Sequence, residues 1–280
     1  MAMKNEMEKQ GVWLFRFRGT LPLIILVLGV CEYIITRIDN PTYVINGASS
    51  PQLIHYEILC FVVSLLGLAV RAFTVGYTPA NTSGRNVAEQ VADQLNTTGL
   101  YSVVRNPLYV GNFLMWLGIA MLTMNLWFII SFILLFWVYY ERIIFAEEQF
   151  LTNKFGSVYT DWADKTPCFI PRLKGYVAPK LPFSWKKVIK KEKNGLLALL
   201  LVFWMMDVIG DLVSGVTPRI GVLAIASMAM LVIYLILKYI KHKTTLLDEE
   251  ADNRLPKSVG NRRVIVRSTP PQRHRDGGAG

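Results

Sequence analysis

Six apolar runs, residues 20–38, 53–75, 108–124, 126–145, 195–213 and 220–240, divide this chain, and the segments between them alternate between basic and empty of basic charge. Residues 1–19, 76–106, 146–194 and 238–280 hold 26 of the 30 Lys and Arg residues. Residues 39–52, the turn at Asn125 and residues 214–218 hold none. Each run is near the ~20 residues a helix needs to cross a hydrocarbon core of ~30 Å. Loops that alternate in this way are what six spans with both termini in the cytosol require, because Lys and Arg stay on the cytosolic side. A soluble helical protein would need six helices apolar all round, and the alternation would then be coincidence. The chain is 52% hydrophobic and 18% charged with a net charge of +10, so its greasy and basic parts are kept in different places. The positive charge therefore reads as a membrane face and not as a nucleic-acid footprint.

The expectation is an all-α polytopic membrane protein of about six transmembrane helices, with a tight helical hairpin over residues 108–145. Its organisation reads as a tail and two spans (1–75), a central core (76–180), two additional spans (181–247) and a basic, disordered tail (248–280). The tail carries seven Arg/Lys against one Asp over residues 254–280 and would be drawn to anionic headgroups. The first run lacks the small-residue cleavage site of a signal peptide. Val87, Val91 and Leu95 share a helical face and predict a short surface helix ending at Asn96–Gly99. Cys31, Cys60 and Cys168 read as free thiols, and no Cys/His cluster has metal-ligand spacing, so no metal is expected.

The chemistry concentrates between residues 99 and 171. Arg105, Asn106 and Tyr109 enter the hairpin, and Glu141, Arg142, Glu147 and Glu148 leave it. Antiparallel neighbours joined by a minimal turn bring these groups level, at headgroup depth. One cation, two or three anions and aromatic walls suit a ligand such as S-adenosylmethionine, with Arg105 and loop N–H groups for its carboxylate and Glu147 or Glu148 for its ammonium or hydroxyls. Pro107 fits the first position of a helix, where N–H groups remain available to an anion. The same residue types are also common snorkelling anchors at a membrane boundary, and residue chemistry alone leaves both readings open.

The segment resembles the isoprenylcysteine carboxyl methyltransferase and phospholipid methyltransferase family of integral membrane enzymes. Gly99, Tyr101, Arg105, Pro107, Tyr109 and Gly111 fall in register with the family pattern. So do Glu147, Glu148, Leu151, Phe155, Gly156, Tyr159 and Trp162, then Pro167 and Pro171. The resemblance implies S-adenosylmethionine as cofactor, contacted by Gln94, Leu95, Tyr101, Asn106, Pro107, Leu108, Tyr109 and Glu147. Arg105, Glu147 and Glu148 are the candidate catalytic group, and Arg142, Arg71 or Arg85 would clamp an anionic substrate. Two departures stand out. The family histidine of R-H-P is Asn106 here, which cannot titrate near neutrality. Arg142 precedes Glu147 by five residues where the pattern usually has four, about 100° away on a helix.

The implied reaction is in-line methyl transfer to a lipid or lipid-linked acceptor. An anionic oxygen, phosphate or carboxylate, is favoured over an amine because it needs no general base. The partners are then the membrane and a lipid substrate, with no nucleic acid, and the active site faces the cytosol of a bacterial inner membrane or an endoplasmic reticulum. An NADPH-dependent sterol-type reductase and a non-catalytic lipid-binding protein are the rival readings; the adjacent glutamates and compact hairpin favour methyl transfer. Elsewhere, Glu32, His55, Glu57, Asp207 and Asp211 fall toward the outer half of the bilayer and read as a structural polar cluster, with a proton or substrate path as the alternative. Gly29, Gly111, Gly118 and Gly221 read as sites of close helix approach, and Trp116, Trp127, Trp137 and Trp204 as packing or interface anchors.

Overall fold

The computed structural model describes residues 2–40, 44–45, 48–79 and 94–244. All six apolar runs are helical. They form α2 (Leu21–Asp39), α3 (Pro51–Tyr77), α4 (Pro107–Met121), α5 (Leu126–Phe155), α7 (Trp185–Val213) and α8 (Val222–Lys243). Two further helices, α1 (Met3–Arg16) and the short α6 (Ser157–Ala163), flank them. A two-residue antiparallel pairing of Val44–Ile45 with Ala48–Ser49 joins α2 to α3. By length and composition, α3, α5, α7 and α8 can each cross a membrane, and α4 is a shorter apolar helix. Their large side chains are exposed along the lipid-facing stripes, as at Leu66, Leu134, Val232 and Leu235.

Local chemistry sets the helix ends. The Ser50 hydroxyl accepts from Leu53 N–H at 3.3 Å, and Pro51 occupies the first turn of α3. The α4–α5 hairpin turns over residues 122–125, with Met124 in the left-handed region (φ 53°). Asn125 then caps α5, its side-chain oxygen accepting from Trp127 N–H at 2.9 Å and Phe128 N–H at 3.1 Å. At the other end Gly156 takes φ +57°, a conformation that costs a side-chain-bearing residue energy, and lets α6 start at once.

α3 and α4 approach most closely, through glycines. A Cβ on Gly67 would lie 2.5 Å from Gly111 O and from Met115 N. Gly118 is sealed against Ser64 and Cys60 O, and the Ser64 hydroxyl donates to Met115 O at 2.8 Å. Gly111 and Gly118 thus serve as expected, and Gly67 joins them. Gly29 is in ordinary contact with the Phe128 ring. Gly221 differs from expectation: it precedes α8 in extended backbone and faces open space, so no helix crosses there.

Residues 1–19 are not a plain tail. α1 docks along α5, with Gly11 directly against Arg142 O and Ala146, Phe15 buried, and the Tyr139 hydroxyl donating to Leu14 O at 3.0 Å. Its Trp13 and Phe17 pair at 4.7 Å on the exposed side. The expected surface helix over Val87–Leu95 and the basic tail from residue 248 lie outside the described residues, save that Leu95 itself is non-helical.

At the end where Lys and Arg are scarce, Arg37 of α2 pairs with Glu57 of α3 at 2.7 Å and donates to the Tyr33 hydroxyl at 2.6 Å. Gly210 of α7 is tucked onto both, 3.1 Å from Arg37 Nη2 as measured from its added Cβ. Asn125 donates to Glu32. Glu57 and Glu32 thus join α2 to α3 and to the hairpin turn, and Gly210 sets α7 against the Arg37–Tyr33 pair.

Candidate active site

Two helices run well past their apolar cores at the basic end. α5 continues ten residues beyond Phe145, and α7 starts ten residues before Gly195. At 1.5 Å per residue each extension reaches about 15 Å. Both are wide enough in polar character to carry the site, α5 with Glu147 and Glu148 and α7 with Glu192.

The hairpin aligns the start of α4 with the extension of α5. The Tyr109 hydroxyl donates to Glu147 Oε2 at 2.9 Å, and the Arg105 Nε lies 3.0 Å from Glu148 Oε1. Tyr109 packs on Tyr140, centroids 4.7 Å apart, and Tyr140 stacks on Phe136 at 4.1 Å. Tyr101 sits in the 3-10 turn Gly99–Ser102, within electrostatic reach of Glu147 and Arg71. Gly99 itself has φ +63° and buries its backbone against Pro179.

After α6 the chain returns to this mouth and is fastened there by backbone and side-chain bonds. Arg105 N–H donates to Pro167 O at 2.8 Å, and its guanidinium donates to Ala163 O at 2.8 Å. Asn106 Nδ2 donates to Cys168 O at 3.1 Å. The residue in place of the family histidine thus pins the return segment. Cys168 sits between Asn106 and Glu148. Burial pushes its thiol up, and the Glu148 carboxylate adds to that. Burial also pushes the Tyr101 and Tyr159 hydroxyls up, with a further rise from Glu147 and Glu148 respectively. Burial works against the charge on Arg105, yet Glu148 and Cys168 more than offset it and hold the guanidinium above its usual value.

Beside the mouth lies an apolar pocket of ≈ 580 Å³, counting its open side, between α1, α5 and the return segment. Met7, Trp137, Ile144 and Phe169 line it, and Glu148 and Cys168 stand at one edge.

Arg105, Pro107, Tyr109, Glu147 and Glu148 therefore come together, with Tyr101 and Asn106 around them. Leu108 follows Pro107 in the first turn of α4, half-buried. Gln94 is exposed and Leu95 half-buried on the strand of chain leading into the 3-10 turn. The three arginines singled out as anion clamps fare differently. Arg71 is engaged by Glu192 through two 2.8 Å bonds. Arg142 pairs with its neighbour Glu141 at 3.7 Å. Arg85 lies outside the described residues. Sequence reasoning missed Tyr140, Asn112, Cys168 and Glu192. For Glu192 a signal existed: it sits in helical phase with Leu199, Phe203, Met206 and Gly210, all on the buried face of α7.

Fold and site together define a polytopic helical membrane protein with a Tyr–Glu–Arg cluster at the mouth of a helical hairpin. The phospholipid methyltransferase family model matches residues 62–158, which hold both sides of that mouth. The protein-S-isoprenylcysteine O-methyltransferase of Schizosaccharomyces pombe is 29% identical over 153 residues, 52% of this chain and 65% of the relative. The nickel-cobalt-cadmium resistance protein NccN of Alcaligenes xylosoxydans xylosoxydans is 33% identical over 111 residues, 40% of this chain and 49% of the relative. The cobalt-zinc-cadmium resistance protein CzcN of Cupriavidus metallidurans is 39% identical over 82 residues, 29% of this chain and 38% of the relative. The chain spans between 38% and 65% of the length of these three relatives. No solved structure matches it significantly. The likeness to the isoprenylcysteine carboxyl methyltransferase and phospholipid methyltransferase family, read from the motifs, is borne out by these matches.

Proposed function

We propose that this chain is an S-adenosylmethionine-dependent methyltransferase of the membrane that methylates an anionic oxygen on a lipid or lipid-linked acceptor at the cytosolic face. The observation that carries the reading is the Tyr109–Glu147 hydrogen bond beside the Arg105–Glu148 ion pair, within the segment that matches the family. The donor set fits the cofactor. Glu147, oriented by Tyr109, suits an ammonium or ribose hydroxyl. The Tyr101, Tyr109 and Tyr140 rings suit a purine or a sulfonium. The first turn of α4 suits a carboxylate. When bound, S-adenosylmethionine supplies an electrophilic methyl group on its sulfonium.

The chain's own residues do the holding and the excluding of water. Glu147 binds and orients. Arg105 and Glu148 clasp the return segment, which closes one wall of the mouth, and Asn106 fastens it at Cys168. The apolar pocket beside Glu148 takes the hydrocarbon part of the acceptor and brings its polar end to the mouth. Collinear placement in a water-poor site supplies most of the acceleration. Asn106 bears no proton that titrates near neutrality, so an acceptor already ionised at pH 7 suits the site, and the relatives named O-methyltransferases agree with an oxygen nucleophile. Arg142 is the clamp best placed near the pocket, next to its lining residue Glu141.

The test is transfer of radiolabelled methyl from S-adenosylmethionine to extracted lipid by the purified protein in native lipids, with Glu147→Ala as control. Label lost in the variant supports the site, and equal labelling overturns it. Thermal stabilisation by NADPH in place of S-adenosylhomocysteine would turn the reading to the reductase. Mass spectrometry of lipids with and without the protein, searching for a 14 Da difference, identifies the acceptor.

A further inference from the structure

We infer that Glu192, on the additional helix α7, is a positioning residue for the mouth: it anchors Arg71, and through Arg71 a line of side chains that ends on Glu147. The inference rests on the methyltransferase reading above and adds Glu192, Arg71 and Asn112, which that reading does not use.

Glu192 Oε1 and Oε2 accept from Arg71 Nη2 and Nε, both at 2.8 Å, a bidentate geometry that fixes the guanidinium plane. The pair is well buried, with the Glu192 side chain 6% and the Arg71 side chain 19% exposed. Arg71 Nη1 then donates to Asn112 Oδ1 at 2.7 Å. The Asn112 side chain interacts with the Tyr140 hydroxyl. Tyr140 packs on Tyr109, which holds Glu147. Four helices, α7, α3, α4 and α5, contribute to this line. Gly111 makes it possible, since a Cβ there would lie 2.5 Å from Arg71 Cγ and block the stem of the arginine.

The family match ends at residue 158, so Arg71, Asn112, Tyr140 and Tyr109 lie inside it and Glu192 outside. Four polar side chains between apolar helices are costly to order unless each is satisfied. Here the arginine's charge is met by a carboxylate from beyond the matched core. The additional helix α7 thereby does more than thicken the bundle: it supplies the carboxylate that holds Arg71 behind the site. Arg71 also lies within electrostatic reach of Tyr101, so its plane bears on both aromatic walls of the mouth.

The experiment measures S-adenosylhomocysteine affinity by calorimetry, alongside thermal unfolding, for the full-length protein and for Glu192→Ala, Glu192→Asp and Asn112→Ala. Glu192→Ala is expected to weaken binding roughly tenfold or more. Glu192→Asp should recover part of it, and Asn112→Ala should match Glu192→Ala. The double variant should be no weaker than either single, because both cut one line. A Glu192→Ala protein that binds S-adenosylhomocysteine as the wild type does, and only melts earlier, reduces the pair to a structural tie and overturns the inference. If Glu192→Ala does not fold, Asn112→Ala decides alone, since it leaves the ion pair in place. A wild type that does not bind S-adenosylhomocysteine at all overturns the functional reading and this inference with it.

Discussion

Glu147 and Glu148 are neighbours in sequence, yet a helix turns about 100° between them, and they meet different partners. Glu147 faces the Tyr109 hydroxyl, and Glu148 faces Arg105 and the return segment. The first is placed to touch a ligand and the second to hold a wall. Replacing each separately should therefore give different defects. Glu147→Gln removes a charged partner worth about 1.5–3 kcal/mol, so S-adenosylhomocysteine affinity should fall about 10- to 100-fold, with unfolding little changed. Glu148→Gln should lower the unfolding midpoint and loosen the segment at Cys168, detectable as faster hydrogen exchange over residues 163–169. Cys168 gives an independent check by pH. Its thiol is pushed up by burial, so at any given pH a smaller fraction is thiolate than for a free cysteine. Alkylation by a small maleimide at pH 8 should be slower than that of a free thiol and should quicken in Glu148→Gln. A rate equal to that of free cysteine would show the return segment open.

At the scale of elements, the α3–α4 contact is set by missing side chains. Gly67→Ala places a Cβ 2.5 Å from backbone atoms of α4 that cannot swing aside. Overpacking of this kind costs about 1–3 kcal/mol, and unfolding in detergent should read a loss in that range. At Gly221, which faces open space, alanine should be neutral. The Arg37–Glu57 pair predicts a comparison of another kind. Glu57→Ala leaves the buried Arg37 guanidinium without its counter-charge, a loss of about 3–5 kcal/mol. The protein that remains folded should bind S-adenosylhomocysteine as before, because the pair ties α2, α3 and α7 at the end away from the mouth. Loss of binding without loss of stability would instead make that cluster functional. α1 is a third such element: a side chain at Gly11 would meet Arg142 O and Ala146, so Gly11→Leu should undock the helix and open the pocket that Met7 helps to line.

For the whole molecule, the alternation of basic and empty loops predicts that both termini lie in the cytosol. Fusions of a reporter that matures only in the cytosol, one at each terminus, should both be active, and a silent C-terminal fusion would indicate an odd number of spans. What the sequence by itself determined was whatever depends on segment composition and local stereochemistry. The six apolar helices follow from run length and the minimal hairpin from the short Asn125 connection. The meeting of Tyr109 with Glu147 follows in turn, because antiparallel neighbours of fixed rise must come level. Tertiary structure alone decided which partner each long polar side chain chose. Arg71 could reach a substrate or Glu192, and only the approach of α7, 121 residues away in the chain, settles it on the carboxylate. Residues 1–19 intersperse their apolar positions with charged ones and give no span, so their docking as α1 is decided by the groove that α5 offers to Gly11 and Phe15. Glu192, set among lysines, has the composition of a solvated face. It is buried because a charge in an apolar setting is stable only beside its counter-charge, and that counter-charge is brought by the fold.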